Sequence, residues 1–242
     1  MAVLALLVSC TSADLAAAGE RSVIGHSVQG RPIVAIRKGP QSAAVKVLVV
    51  GAIHGNETAG MQITDRLLAQ GVPGHTQLLI VPTANPDGIV LRTRGNARGV
   101  DLNRNFPFDW RPLIGGEYSG SGPLSEPESR AAHRLILRER PDVTIWFHQP
   151  FGLIDRPPGN PFAAQRFAQL IDLPLVKLPG RYPGSSSRWQ NHHSPNTAAF
   201  VAELPQRVNS ALIKRGTAAV LTLAAELGSP GLAPARPVRS AP

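Results

Sequence analysis

A single cysteine in 242 residues excludes an internal disulfide, and at position 10 it stands too far from the polar motifs of the chain to be their nucleophile. Aromatic residues make up only 5% of the sequence. They nowhere interleave with a dense Lys/Arg run, so the stacking platform of a nucleic-acid groove is missing and no nucleic-acid partner is expected. No apolar run is long enough to span a bilayer; the stretch Met1 to Ser9 falls well short of the roughly 20 residues required. Acidic residues are also scarce, 16 against 25 Lys and Arg, for a formal net charge of +9. That balance favours anionic partners, from polymers to carboxylate-rich small substrates.

With 43% hydrophobic residues, the chain can bury the core of one large domain. Residues 21–228 are expected to form it, between a leader and linker (1–20) and a Pro/Gly/Arg-rich tail (229–242). The leader ends Leu7-Val8-Ser9-Cys10, similar to the lipobox of exported bacterial lipoproteins. A lipid anchor at Cys10 is therefore the expectation, with a secreted or cytoplasmic form as the alternative. A monomer or small oligomer is expected.

Two β-like runs, Ser22 to Val28 and Arg31 to Ile36, predict a hairpin around Gln29-Gly30. Buried strands are predicted at Val45 to Ala52, Gln77 to Pro82, Asp142 to His148, Leu173 to Leu178 and Thr197 to Leu204. Helices are predicted at Glu57 to Gln70, from Ser125 to Arg140, at Asn160 to Ile171 and at Val208 to Leu227. Asn85 to Gly88 reads as a turn, and Leu91 to Gly122 and Pro179 to Asn196 as irregular loops. Strands alternating with helices mean an α/β fold with a largely parallel sheet.

The run Val47 to Glu57 delivers His54 and Glu57 at a strand's C-terminal end, the edge where α/β sheets gather ligands. Alone, this pair also suits a turn histidine and a first-turn helix acid. A second apolar strand, Thr144-Ile-Trp-Phe-His148, ends in histidine at the same edge. Together they supply a His₂Glu set, which binds Zn²⁺ and leaves a position for water. The long loop adds Arg92, Arg94, Arg98 and Arg104 among asparagines. These arginines suit either a solvated surface or bidentate capture of carboxylates and support of an oxyanion. Glu203, inside the apolar run Ala198 to Leu204, is costly to bury there unless it is paired or functional.

His54-x-x-Glu57, Asn85-Pro-Asp-Gly88, Gly99-Val-Asp-Leu-Asn-Arg-Asn-Phe106, a later strand-end histidine and a final Phe-x-x-Glu resemble the M14 (carboxypeptidase A-like) zinc carboxypeptidases, in the family's order. The resemblance implies a three-layer α/β/α fold with a mixed, mostly parallel, twisted sheet. It implies one zinc held by His54, Glu57 and His148, and Glu203 as general base. Asn103 and Arg104 would clamp a substrate carboxylate, and Arg94, with Arg98 as competitor, would polarise the scissile carbonyl. Tyr182 would take the place of the family's mobile tyrosine. Tyr182 to Trp189 is also similar to loops of bacterial members that cut γ-D-glutamyl-diaminopimelate bonds, where Arg188 would receive an extra carboxylate. His192 and His193 are expected at the surface. A general carboxypeptidase, an aspartoacylase-type deacylase and an inactive wall-peptide binder are the competing functions.

Overall fold

The computed structural model describes residues 19–158, 161–179 and 182–229; Cys10 and most of the expected leader and tail lie outside them. In chain order the strands are β1 (Glu20–His26), β2 (Pro32–Lys38), β3 (Val45–Val50), β4 (Thr76–Val81), β5 (Val143–His148), β6 (Phe151–Asp155), β7 (Leu175–Val176) and β8 (Ala198–Pro205). The helices are α1 (Ala59–Leu68), α2 (Pro86–Leu91), α3 (Pro127–Glu139), α4 (Phe162–Ile171), α5 (Ser186–His193) and α6 (Ser210–Gly228). All eight strands join one sheet in the order β1-β2-β4-β3-β5-β8-β6-β7. Its centre, β4-β3-β5-β8, is parallel, while the β1-β2, β2-β4 and β6-β8 pairings are antiparallel. The sheet is thus mixed, as expected.

Side chains alternate across the central strands and feed two separate cores. Val47, Val49, Ile145, Phe147 and Phe200 pack with Ile63 of α1, Phe167 of α4 and Leu223 of α6. Leu48, Val50, Trp146 and Val201 face the other way, onto Leu135 of α3 and Trp189 of α5. Helices therefore cover both faces, which gives the three layers and explains why the central strands read as unbroken apolar runs. Among the described residues, no helix is long and apolar enough to cross a membrane.

Four local expectations are corrected. The first helix starts at Ala59, because Glu57 closes a turn onto the His54 carbonyl (3.2 Å) before the helix begins. Asn85 to Gly88 is the start of α2, with Asn85 as its N-cap accepting from Gly88 N–H and Pro86 in the first turn. The edge run Leu173 to Leu178 keeps only two paired residues, those of β7, between Pro174 and Pro179, which have no N–H for a ladder. The supposed loop from Pro179 hides α5, whose buried positions are mostly polar: Ser186, Ser187 and Gln190 beside Trp189.

Candidate metal centre and active site

His54 leaves the end of β3, His148 ends β5, and Glu203 lies on β8 in register with His148. Parallel pairing thus brings three distant segments to one sheet edge. Gly55 is required there by close approach: a Cβ on it would overlap the backbone of Gly88. Asn85 ties the same corner together, donating to the carbonyls of Ile53 (3.1 Å) and Gly95 (3.2 Å). This holds the loop carrying Arg94 against the end of β3.

His54, Glu57 and His148 are all buried, at 1%, 7% and 3% exposure. One ligand atom from each lies within 4.8 Å of the others. The far nitrogen of each ring is occupied: His54 Nε2 is 3.0 Å from Asp101 Oδ1, and His148 Nε2 is 3.5 Å from Asn103 Nδ2. Both Nδ1 atoms therefore face the Glu57 carboxylate, at 2.9 Å from Oε1 for His54 and 3.0 Å from Oε2 for His148. His54 Nδ1 is close to Oε1 but not aligned for a hydrogen bond, and so is a buried nitrogen without one. Two inward-facing imidazole nitrogens, one of them unsatisfied, and a carboxylate oxygen fit Zn²⁺, with Asp101 and Asn103 fixing the rings.

The surrounding charges agree. Burial alone would raise Glu57, but the hydrogen bond to His148 and the close approach of the His54 imidazole hold it well below the usual carboxylate range. Burial acts the same way on Asp101 and is outweighed by His54, with Arg94 and Arg104 assisting. Glu203 goes the other way: burial, followed by the charge of Glu57, pushes it up to about 7. Its Oε2 is buried with no hydrogen-bond partner. A carboxyl tuned near neutrality, with a free oxygen, suits proton transfer.

A cleft of about 580 Å³ opens over this centre, and all nine predicted site residues line it: His54, Glu57, Arg94, Asn103, Arg104, His148, Tyr182, Arg188 and Glu203. Arg104 is buried; its Nη1 donates to the Asn103 carbonyl (2.9 Å), its Nη2 to Glu117, and its guanidinium lies 5.2 Å over the Tyr182 ring. Asn103 Oδ1 accepts from the backbone and hydroxyl of Ser186 (both 3.0 Å). Arg94 donates to Asp101 Oδ2 (2.9 Å) and Glu57 Oε1 (3.0 Å). Arg98 instead turns to Glu126 (3.4 Å), outside the cleft lining. His192 stacks on Phe108 and His193 on Trp189, away from the metal ligands.

Sequence reasoning assigned no role to Asp101, Glu117 or Asp155. Asp101 stands between Val100 and Leu102 in a buried stretch, and an acid in that setting was a legible sign of a partner. Glu117, in a glycine-rich turn, and Asp155, at the end of an unpredicted strand, left no such mark.

Comparison with known proteins agrees with this geometry. Residues 16–212 match the zinc carboxypeptidase family. The chain is 32% identical over 180 residues to murein peptide amidase A of Escherichia coli K12, covering 68% of this chain and 74% of that protein. It is 30% identical over 199 residues to murein peptide amidase A of Vibrio campbellii, covering 75% and 77%. Among solved structures, murein-tripeptide amidase from Escherichia coli O157 superposes with a TM-score of 0.67 at 28% identity, over 86% of this chain and 91% of that one. Carboxypeptidase A from Helicoverpa armigera shares the fold, with a TM-score of 0.71 at 22% identity over 87% and 68%. The chain is a zinc-dependent peptide hydrolase and belongs to the M14 zinc carboxypeptidase family.

Proposed function

We propose that the protein hydrolyses the γ-D-glutamyl-diaminopimelate amide of murein peptides. The observation that carries this is a single cleft in which the His54-Glu57-His148 centre and Glu203 share walls with Arg104 and a second cation, Arg188. A substrate with one carboxylate beside the scissile bond and another farther out matches both cations, and diaminopimelate has two. Similarity to proteins named murein peptide amidases supports the same linkage.

Asn103 and Arg104 bind the carboxylate next to the scissile bond and fix the amide over the metal centre. When bound by His54, Glu57 and His148, Zn²⁺ lowers the pKa of an attacking water and polarises the carbonyl. Glu203 Oε2 accepts the proton of that water as the C–O bond forms. Arg94, whose Nη2 has no hydrogen bond among the described residues, donates to the carbonyl oxygen as it gains charge. The C–N bond then breaks, and Glu203 returns its proton to the leaving amine.

The test is mass spectrometry of L-Ala-γ-D-Glu-meso-diaminopimelate after incubation with zinc-loaded protein, alongside a C-terminal α-peptide and chelated and Glu203→Gln controls. Release of diaminopimelate by the active protein alone is expected. Cleavage only of the α-peptide would make the protein a general carboxypeptidase, and silence on both would move the assignment to a deacylase or an inactive binder. An exported form anchored at Cys10 would meet murein peptides outside the membrane. Lipid labelling of the wild type, lost in Cys10→Ser, tests that placement.

A further inference from the structure

Arg188 has so far been matched to one carboxylate, and an opposite charge shares its part of the cleft. Asp155 is the last residue of β6 and Arg188 lies on α5; both line the cleft, with Leu178 and Ser187. Neither belongs to an ion pair among the described residues. Asp155 Oδ1 accepts from the Leu178 backbone N–H (3.2 Å), while Oδ2 has no hydrogen bond there. Burial raises the Asp155 carboxyl above its ordinary value, opposed only by that N–H and by the charge of Arg188. Charges that share a cleft without touching are each short of a partner.

Such an arrangement is complementary to a ligand carrying both signs on neighbouring atoms, an ammonium and a carboxylate on one carbon. We propose that Asp155 and Arg188 form a zwitterion-reading subsite, Asp155 taking the free ammonium and Arg188 the carboxylate at the far end of the leaving residue's side chain. This rests on the proposed diaminopimelate substrate, whose distal centre has this chemistry, and adds a requirement to it. A distal amine that has been acylated, as in a peptide cross-link, carries no charge for Asp155 and adds bulk beside it. The enzyme then acts on peptides whose side-chain amine is free. Asp155 and Arg188 select the substrate and take no part in bond breaking.

The test compares kcat/KM of the zinc-loaded full chain on L-Ala-γ-D-Glu-X. X is meso-diaminopimelate, lysine (no distal carboxylate), 2-aminopimelate (no distal amine) or diaminopimelate acetylated on its distal nitrogen. Wild type should prefer diaminopimelate over each analogue by about ten- to a hundred-fold, the worth of a charge-assisted hydrogen bond. Asp155→Asn, which keeps an oxygen for Leu178 N–H, should erase the preference over 2-aminopimelate and the acetylated residue but retain that over lysine. Arg188→Gln should do the reverse. A wild type indifferent to the analogues, or variants that slow all four substrates equally, would overturn the subsite. The same four residues on α-linked peptides, and calorimetric binding of the four free amino acids, separate this claim from the linkage. Turnover of α-peptides alone overturns the γ-glutamyl assignment, while the binding order still decides the roles of Asp155 and Arg188.

Discussion

The two ends of the cleft are held to very different degrees. At the metal end the outer nitrogen of each imidazole and both Glu57 oxygens are engaged, with Asp101, Asn103, Arg94 and the Gln149 backbone N–H supporting the three ligands. At the other end Arg188 has no ion-pair partner among the described residues, Asp155 holds one hydrogen bond, and the Tyr182 hydroxyl makes one long contact to the Pro179 carbonyl (3.4 Å). Chemistry needs its ligands fixed to a fraction of an ångström, so its supporting bonds are redundant. Recognition instead leaves polar groups free for the ligand, so single changes there alter selectivity more than turnover.

The sharpest break in this contrast is at the metal end. His148→Ala should abolish both zinc content and turnover, read by metal analysis of the purified protein. Glu203→Gln should retain zinc and lose turnover by about 10²- to 10⁴-fold, the scale of general acid-base assistance. Loss of metal in that variant would mean that Glu203 is a ligand. Asp101→Asn removes a support and not a ligand. It should weaken zinc binding by about 10- to 100-fold, measured by competition with a chelating dye.

Stability against pH separates the same residues by sign. In the metal-free protein the Glu203 carboxyl lies near 7, against an ordinary value of 4.5. Between those values the folded chain keeps a proton that the unfolded chain has released, so stability falls as pH rises through the window. Glu203→Gln cannot ionise and should flatten that fall in Tm between pH 5 and pH 8. Glu57 and Asp101, held low by their partners, contribute stability at neutral pH that is lost as pH drops through and below the ordinary carboxylate range. An unchanged pH profile in Glu203→Gln would show that its carboxyl titrates normally.

The same asymmetry decided what could be read from sequence. His54 follows an apolar strand closely, and His148 and Glu203 end or sit within apolar strands, where a polar residue is conspicuous and the parallel sheet fixes where it arrives. Helices α1, α4 and α6 were legible because they bury apolar side chains against that sheet. By contrast, α5 buries Ser186 and Gln190 through hydrogen bonds to Asn103 and Thr144, with Ser187 buried beside them, so it carries no hydrophobic period. Strand β6 is short, starts at exposed Phe151 and contains Gly152 with φ of +66°. Asp155 stayed invisible with it. Resemblance already favours Arg94 over Arg98; what separates the two in space is the reach of Arg94 to Glu57, 37 residues away, which the loop sequence does not encode.

The smallest expected effect lies between the two ends, at Arg104. Its buried guanidinium is met by Glu117, whose side chain is 55% exposed, in the turn Gly115–Glu117. An incoming substrate carboxylate must replace Glu117 on Arg104. Because the displaced acid is well solvated, the competition is weak: exposed ion pairs are worth about 0.2–1 kcal/mol, a factor of roughly 1.4 to 5. Glu117→Gln should therefore lower KM by about that factor with kcat little changed. Added salt should narrow the gap between the variant and wild type, since it screens the exposed partner first. A raised KM would mean the opposite: that Glu117 orients Arg104 for its substrate, and that the carboxylate clamp, like the metal end, depends on a supporting bond.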